Sequence, residues 1–259
     1  MTAATPVASP AELFDLTGRT AVVTGASSGL GARFAAVLAA AGATVWIAAR
    51  RADRLRELAA ACPAMRPVAA DLGTEDGRRA LVDAVREGSG TIDVLINNAG
   101  VDSGAKPADE TSERFAEVLG TNLVGPFHLA RLAAEVAGPQ GLAVVNVSSI
   151  LGLVSAAPMG GASYAASKAG LLGLTRELAG HWGRRGVRVN ALAPGWFRTE
   201  MNAELFDDER SVRWIGRNTM LGRAGEPAEL DTALLVLCSP ASSYLTGQIL
   251  TVDGGWTAR

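Results

Sequence analysis

One segment constrains the fold more than any other. Thr20-Ala-Val-Val-Thr24 is short, β-branched at four of its five positions, and bounded by glycines, and it runs straight into Gly25-Ala-Ser-Ser-Gly-Leu-Gly31. Leu30, Phe34, Val37, Leu38 and Ala41 then recur at helical spacing until Gly42. A buried strand, a glycine loop and an apolar-striped helix begin a β–α–β unit, and Thr44-Val-Trp-Ile-Ala48 supplies its second strand. Glycines at 25, 29 and 31 would let the backbone approach an anion, with unpaired N–H groups and the positive helix end facing it. Taken alone the loop has two readings, a plain strand-to-helix turn or a cradle for a pyrophosphate.

The alternation continues. Further strands are expected at Pro67–Ala70, Ile92–Ile96, Leu142–Val147, Val187–Leu192 and Ile249–Val252, with helices over Ser112–Val136, Ser163–Trp182 and Pro227–Leu237. Such a pattern predicts an α/β fold, a doubly wound parallel sheet of about seven strands with helices on both faces in three layers. No internal repeat or linker divides the chain, so residues 11–259 read as one domain behind a flexible leader over 1–10.

Composition removes several classes of function. With 48% hydrophobic and 19% charged residues, the 259-residue chain can bury a core and is not disordered. No apolar run nears the roughly 18 residues of a membrane span, and the start of the chain lacks the basic and apolar regions of a signal peptide. A net charge of -2 offers no footprint for nucleic acid. Cys62 and Cys238 lie far apart, which suggests buried thiols in a reducing cytoplasm. With only His128 and His181, neither a His-based metal site nor a Ser-His-Asp triad is expected.

Tyr164-Ala-Ala-Ser-Lys168 places a phenol and an ammonium four residues apart on one helix face. A nearby cation favours a phenolate and brings the Tyr pKa of about 10 toward working range. By itself the pair is also what an ordinary amphipathic helix would carry. The glycine spacing Thr-Gly-x-x-x-Gly-x-Gly, Asn97-Asn-Ala-Gly100, Asn122 within Thr121-Asn-Leu-Val-Gly-Pro126, Ser148-Ser149, Pro194-Gly195 with Thr199, and Val252-Asp-Gly-Gly255 accompany it in that order. Together these resemble the motifs of the short-chain dehydrogenase/reductase family over roughly residues 15–256.

The resemblance implies a Rossmann-type fold and hydride exchange between a nicotinamide dinucleotide and a small carbonyl or secondary alcohol substrate. It assigns Tyr164 as acid/base, Lys168 as the group that lowers its pKa and holds the nicotinamide ribose, Ser149 as the carbonyl-orienting hydroxyl and Asn122 as the holder of a relay water. Ser149 is chosen over Ser148 because Ile150-Leu-Gly152 follows it as in the family. The cofactor would lie against Gly25, Ser27, Ser28, Gly29, Leu30 and Gly31, then Asp71 and Leu72 after the third strand. It would continue past Asn98, Ala99 and Gly100 to Tyr164, Lys168, Pro194, Gly195, Phe197 and Thr199.

A carboxylate ending the second strand would bind a ribose 2′-OH, but Ala49 stands there, followed by Arg50. That favours NADP(H), with NAD(H) left open. Arg50, Arg51, Arg54 and Arg56 also read as a solvated helix start, and Ser28 stands where many NADP-preferring relatives carry a basic residue. Residues 196–220 resemble the family's substrate lid and carry large apolar groups, for a hydrophobic pocket or for packing. The two long apolar helices resemble the family's subunit-pairing helices and imply a homotetramer. Ketone reduction is the expected activity, with 3-oxoacyl thioester reduction or sugar-acid oxidation as alternatives within the family. A non-catalytic dinucleotide sensor is the alternative outside enzymes.

Overall fold

The computed structural model of the protein describes residues 7–157 and 159–259. Seven strands, β1 (Thr20–Thr24), β2 (Thr44–Ala49), β3 (Met65–Ala69), β4 (Val94–Asn97), β5 (Leu142–Val147), β6 (Val187–Pro194) and β7 (Ile249–Val252), form one sheet. Its order is β3-β2-β1-β4-β5-β6-β7, and every neighbouring pair is parallel. The helices are α1 (Pro10–Leu13), α2 (Gly29–Ala40), α3 (Ala52–Ala61), α4 (Glu75–Ser89), α5 (Ser112–Leu119), α6 (Gly125–Glu135), α7 (Ala162–Trp182), α8 (Ala203–Asp207), α9 (Glu209–Asn218) and α10 (Asp231–Cys238). This is the expected Rossmann-type α/β architecture.

Side chains on a strand alternate between faces, and the two halves of the core follow that rule. Ala21, Val23, Val45, Ile47, Val94, Ile96, Val145 and Val147 meet Phe34, Leu38 and Leu55 from α2 and α3 and Leu234 and Leu237 from α10. Val22, Leu95, Val144 and Val189 point the other way, against Leu81 and Val85 of α4, Leu129 of α6 and Leu178 of α7. Because both faces are covered, the strands read as continuous apolar runs. Pro67 sits within β3, where an edge position tolerates a missing N–H.

Some boundaries differ from expectation. Residues 1–6 of the expected leader lie outside the described residues; Val7 is exposed, and Ser9 forms a capping box with Glu12 at the start of α1. The helix expected over Ser112–Val136 is two helices separated by a π-helical turn, Gly120–Val124. The helix expected from Pro227 begins as a tighter turn, Pro227–Leu230, before α10. Strand β4 begins after Asp93, whose carboxylate accepts from the Thr20 amide (2.8 Å), while Ile92 only bridges to Ala137.

The last strand is tied to the sheet centre through two glycine-bearing motifs. The Gly195 amide donates to the Val252 carbonyl (2.9 Å), and a Cβ on Gly195 would meet the Asp253 Cα at 2.7 Å. Asp253 in turn accepts from the Gly255 amide (2.9 Å) and from the amide and hydroxyl of Thr257 (2.8 and 2.7 Å). Gly195→Ala therefore forces backbone against backbone, and a loss of about 1–3 kcal/mol is expected in urea unfolding.

Candidate active site

The site lies at the carboxyl edge of the sheet, in a cleft of 660 Å³ that opens where strand order reverses between β1 and β4. Its first wall is the glycine loop. Gly25 and Gly29 have φ of +65° and +54°, which L side chains rarely adopt. A Cβ on Gly25 would sit 2.8 Å from the Ala99 Cα, and one on Gly29 would point at the Thr199 side chain across the cleft. The loop is fixed from below. Thr24 Oγ1 accepts from the amides of Asn98 and Ala99 (both 2.9 Å), and Asn98 Nδ2 donates back to the Thr24 carbonyl (2.8 Å).

Of the residues anticipated for a cofactor, Gly25, Ser27, Ser28, Gly29, Leu30 and Gly31 line this cleft together with Arg50, Asp71 and Leu72. So do Asn98, Ala99, Gly100, Pro194, Gly195, Phe197 and Thr199. Asp71 accepts from the Gly73 amide (3.0 Å), and buried Arg78 donates to the Leu72 carbonyl (2.7 Å), which holds that stretch in place. Burial lowers the Arg78 pKa. Arg51 and Glu200 are among the cleft residues not anticipated for a cofactor. Arg51, one beyond the arginine singled out, donates to both Ser27 Oγ and Ser28 Oγ, and Glu200 reaches Arg51 from the opposite wall. The arginine run offered no basis for choosing between neighbours, and nothing in the sequence pairs Glu200 with residue 51.

The second wall is α7, which carries Tyr164 and Lys168. A Cβ on Gly152 would meet the Lys168 carbonyl carbon at 2.7 Å, so this glycine allows α7 to lie close to the segment after β5. Ser148 and Ser149 diverge at the end of that strand. Ser148 is buried, and its hydroxyl donates to the Lys168 carbonyl (2.9 Å). The Ser149 hydroxyl accepts from the Leu151 amide (3.1 Å) and interacts with the Tyr164 phenol, opposing the rise of its pKa. Lys168 is 4% exposed, donates to the Val147 carbonyl (2.8 Å), and lies 5.4 Å from the Tyr164 ring centroid.

The electrostatics depart from the expected lowering of the Tyr164 pKa. Burial pushes Tyr164 up to about 12 against the Ser149 hydrogen bond, and the Asp102 carboxylate adds to the rise. Burial also brings Lys168 down to about 8. At neutral pH the pair is thus a protonated phenol beside an ammonium, suited to giving a proton to an oxygen.

Asn122 sits in the π turn, fully buried. Its Nδ2 donates to the Val101 carbonyl (2.8 Å) and Ser167 Oγ (3.1 Å), and its Oδ1 accepts from the Val101 amide (2.8 Å). Both amide donors are therefore engaged by protein, so this side chain ties Val101, after β4, to Ser167 on α7. Insertions of this kind interrupt helices at functional sites.

The lid segment divides between packing and exposure. Trp196 meets Trp214 and Trp256 edge-on at centroid distances of 6.0 and 5.5 Å, packed beside Ile150 and Ala156. Phe197 and Ile215 are buried, while Met201 and Met220 are exposed. Pro158 lies outside the described residues. Among the described residues no group of His, Cys, Asp or Glu is arranged to hold a metal.

A family model described as enoyl-(acyl carrier protein) reductase matches residues 25–257. A gluconate 5-dehydrogenase of Gluconobacter oxydans is 38% identical over 95% of this chain and 97% of its own. A tropinone reductase homolog of Arabidopsis thaliana is 35% identical over 95% of each. The crystal structure of a gluconate 5-dehydrogenase from Burkholderia cenocepacia, in complex with NADP and tartrate, superposes with a TM-score of 0.89 at 32% identity, covering 96% of this chain and 99% of that one. The chain belongs to the short-chain dehydrogenase/reductase family, and its class is that of NAD(P)-dependent oxidoreductases acting on CH–OH groups.

The two serines should separate in experiment. Ser148→Ala is expected to cost about 1 kcal/mol in stability through the lost bond to Lys168 and to leave most turnover intact. Ser149→Ala is expected to reduce kcat by about 10²-fold or more with little change in unfolding midpoint.

Proposed function

We propose that the protein is a ketone reductase/alcohol dehydrogenase that uses NADP(H) in preference to NAD(H). The observation that carries this reading is the convergence of Ser149, Tyr164 and Lys168 on the cleft built by the glycine loop. The residues present fit a dinucleotide. Gly29, whose Cβ would point across the cleft at Thr199, opens α2, and polar groups continue along the cleft as far as Lys168. Gly25, Ser27, Ser28, Gly29 and Gly31 would hold its phosphates and Asp71 its adenine, with Lys168 at the nicotinamide ribose. When bound, the nicotinamide supplies or accepts the hydride.

The protein's own groups do the rest. Ser149 orients the substrate oxygen, and Tyr164 donates its phenolic proton to that oxygen as it gains charge. The ammonium of Lys168 stabilises the phenolate left behind. Asn122 acts as a positioning residue through Val101 and Ser167. Preference for the phosphorylated dinucleotide is supported by Ala49 at the end of β2, by Arg50 and Arg51 beside the loop, and by the NADP-bound relative. The names of the relatives also favour a sugar-acid substrate as a second reading.

We place the protein in a reducing cytoplasm, to which its two free thiols are suited. A homotetramer is supported by Val124 and Phe127, apolar and 53% and 42% exposed at the junction of the π turn and α6. Light scattering is expected to give a multiple of the 26.6 kDa chain mass, and a mass of one chain would overturn the assembly.

Two kinetic tests apply. Tyr164→Phe should bind NADPH as wild type does and lose at least about 10³-fold in turnover against a panel of ketones, polyols and sugar acids. Equal, negligible turnover by both proteins would sink the enzymatic reading. The pH profile follows from the two side chains. Reductive kcat/KM is expected to be level below neutral pH and to fall through about 8 as Lys168 loses its proton, while oxidation rises with pH.

A further inference from the structure

The end of β2 lacks the carboxylate that would select a ribose 2′-OH, yet a carboxylate reaches the same corner of the cleft from the opposite wall. Glu200 follows Thr199 after β6, and its Oε2 lies 2.9 Å from the Arg51 guanidinium. The Ser28 hydroxyl and Arg51 together hold the Glu200 carboxyl below its usual pKa. Arg51 simultaneously donates to Ser27 Oγ (3.1 and 3.0 Å) and to Ser28 Oγ (2.6 Å). The guanidinium next to the phosphate loop is thus already paired with a carboxylate, and its Nε and Nη2 are engaged by the loop serines. Arg50, which lines the same cleft, takes part in no ion pair among the described residues.

We propose that Glu200 is a cofactor-selectivity residue, whose hold on Arg51 and negative charge weaken binding of a 2′-phosphate relative to a 2′-hydroxyl. This rests on the dinucleotide reading above. A phosphate monoester carries nearly two negative charges at neutral pH. Placed near Arg51 it meets a like charge and must displace the carboxylate to use that guanidinium. A 2′-hydroxyl carries no charge, and it can donate to a carboxylate. Glu200 therefore supplies from across the cleft part of the discrimination that a strand-end acid would supply from β2, and the chain's preference for NADP(H) is held below what its two arginines would otherwise give. The competing explanation is an inert surface ion pair, since Arg51 and Glu200 are 48% and 55% exposed.

The test is titration of NADPH and of NADH into wild type, Glu200→Gln, Arg51→Ala and the double variant, at low and at moderate salt. Glu200→Gln is expected to tighten NADPH about five- to tenfold at low salt, less at moderate salt, and to leave NADH within about twofold. The gain should vanish when Arg51 is also alanine, because the two side chains act through one contact. An unchanged NADPH-to-NADH ratio in Glu200→Gln, or weaker NADPH binding, overturns the proposal while leaving the dinucleotide reading intact. A wild type that binds neither dinucleotide overturns both.

Discussion

The site depends on a small junction between the first and fourth strands. Where neighbouring parallel strands send their connections to opposite sides of the sheet, a crevice opens at their carboxyl ends. Thr24 and Asn98 hold its two lips in register. One hydroxyl takes two amides, and one side-chain amide returns a bond to the strand beside it. The glycine loop can then present bare backbone to the cleft without collapsing into it. A Cβ at Gly25 or Gly31 would strike this same brace, so the glycines serve close packing as well as ligand approach.

A second layer of polar contacts passes that register to the chemistry. Asn97 donates to Asn146 (2.9 Å), and Asn146 donates to Thr175 (2.9 Å), joining β4 and β5 to α7 through a fully buried chain. Asn122 makes the parallel link one turn nearer the cleft. Buried polar groups carry a penalty unless every donor finds an acceptor, and here they are paired strand to helix. These contacts, together with the buried Leu171, Leu172 and Leu178, tie α7, and so Tyr164 and Lys168, to the sheet.

Most of the architecture was legible because strand and helix periods are local. The runs at residues 20–24, 44–48 and 142–147 could be read directly, and the glycine loop, Asn98–Gly100, Ser149, Tyr164, Lys168 and Pro194–Gly195 line one cleft. The π turn at 120–124 was not legible, since its sequence, Gly-Thr-Asn-Leu-Val, fits an uninterrupted helix. Its cause is a tertiary one, the pull of Val101 and Ser167 on Asn122. Arg51 and Glu200 escaped for a related reason. A pair separated by about 150 positions has no periodic signature, and which of two adjacent arginines turns toward the loop is decided by the hydroxyls it meets.

Two opposing effects act on the Tyr164–Lys168 pair. Reasoning from neighbours alone lets the ammonium lower the phenol's pKa. Folding also removes water from both groups, which disfavours the phenolate and the ammonium alike. Burial prevails here, leaving Tyr164 near 12 and Lys168 near 8. Such a pair holds its proton firmly until an adjoining oxygen begins to acquire negative charge. A buried ammonium has three donors, and Lys168 gives one to the Val147 carbonyl. The others lie on the side of Gly100 and the cleft. The fold thus carries a buried ammonium with one protein hydrogen bond at the edge of the cleft, a penalty that a hydroxyl-bearing ligand there would offset.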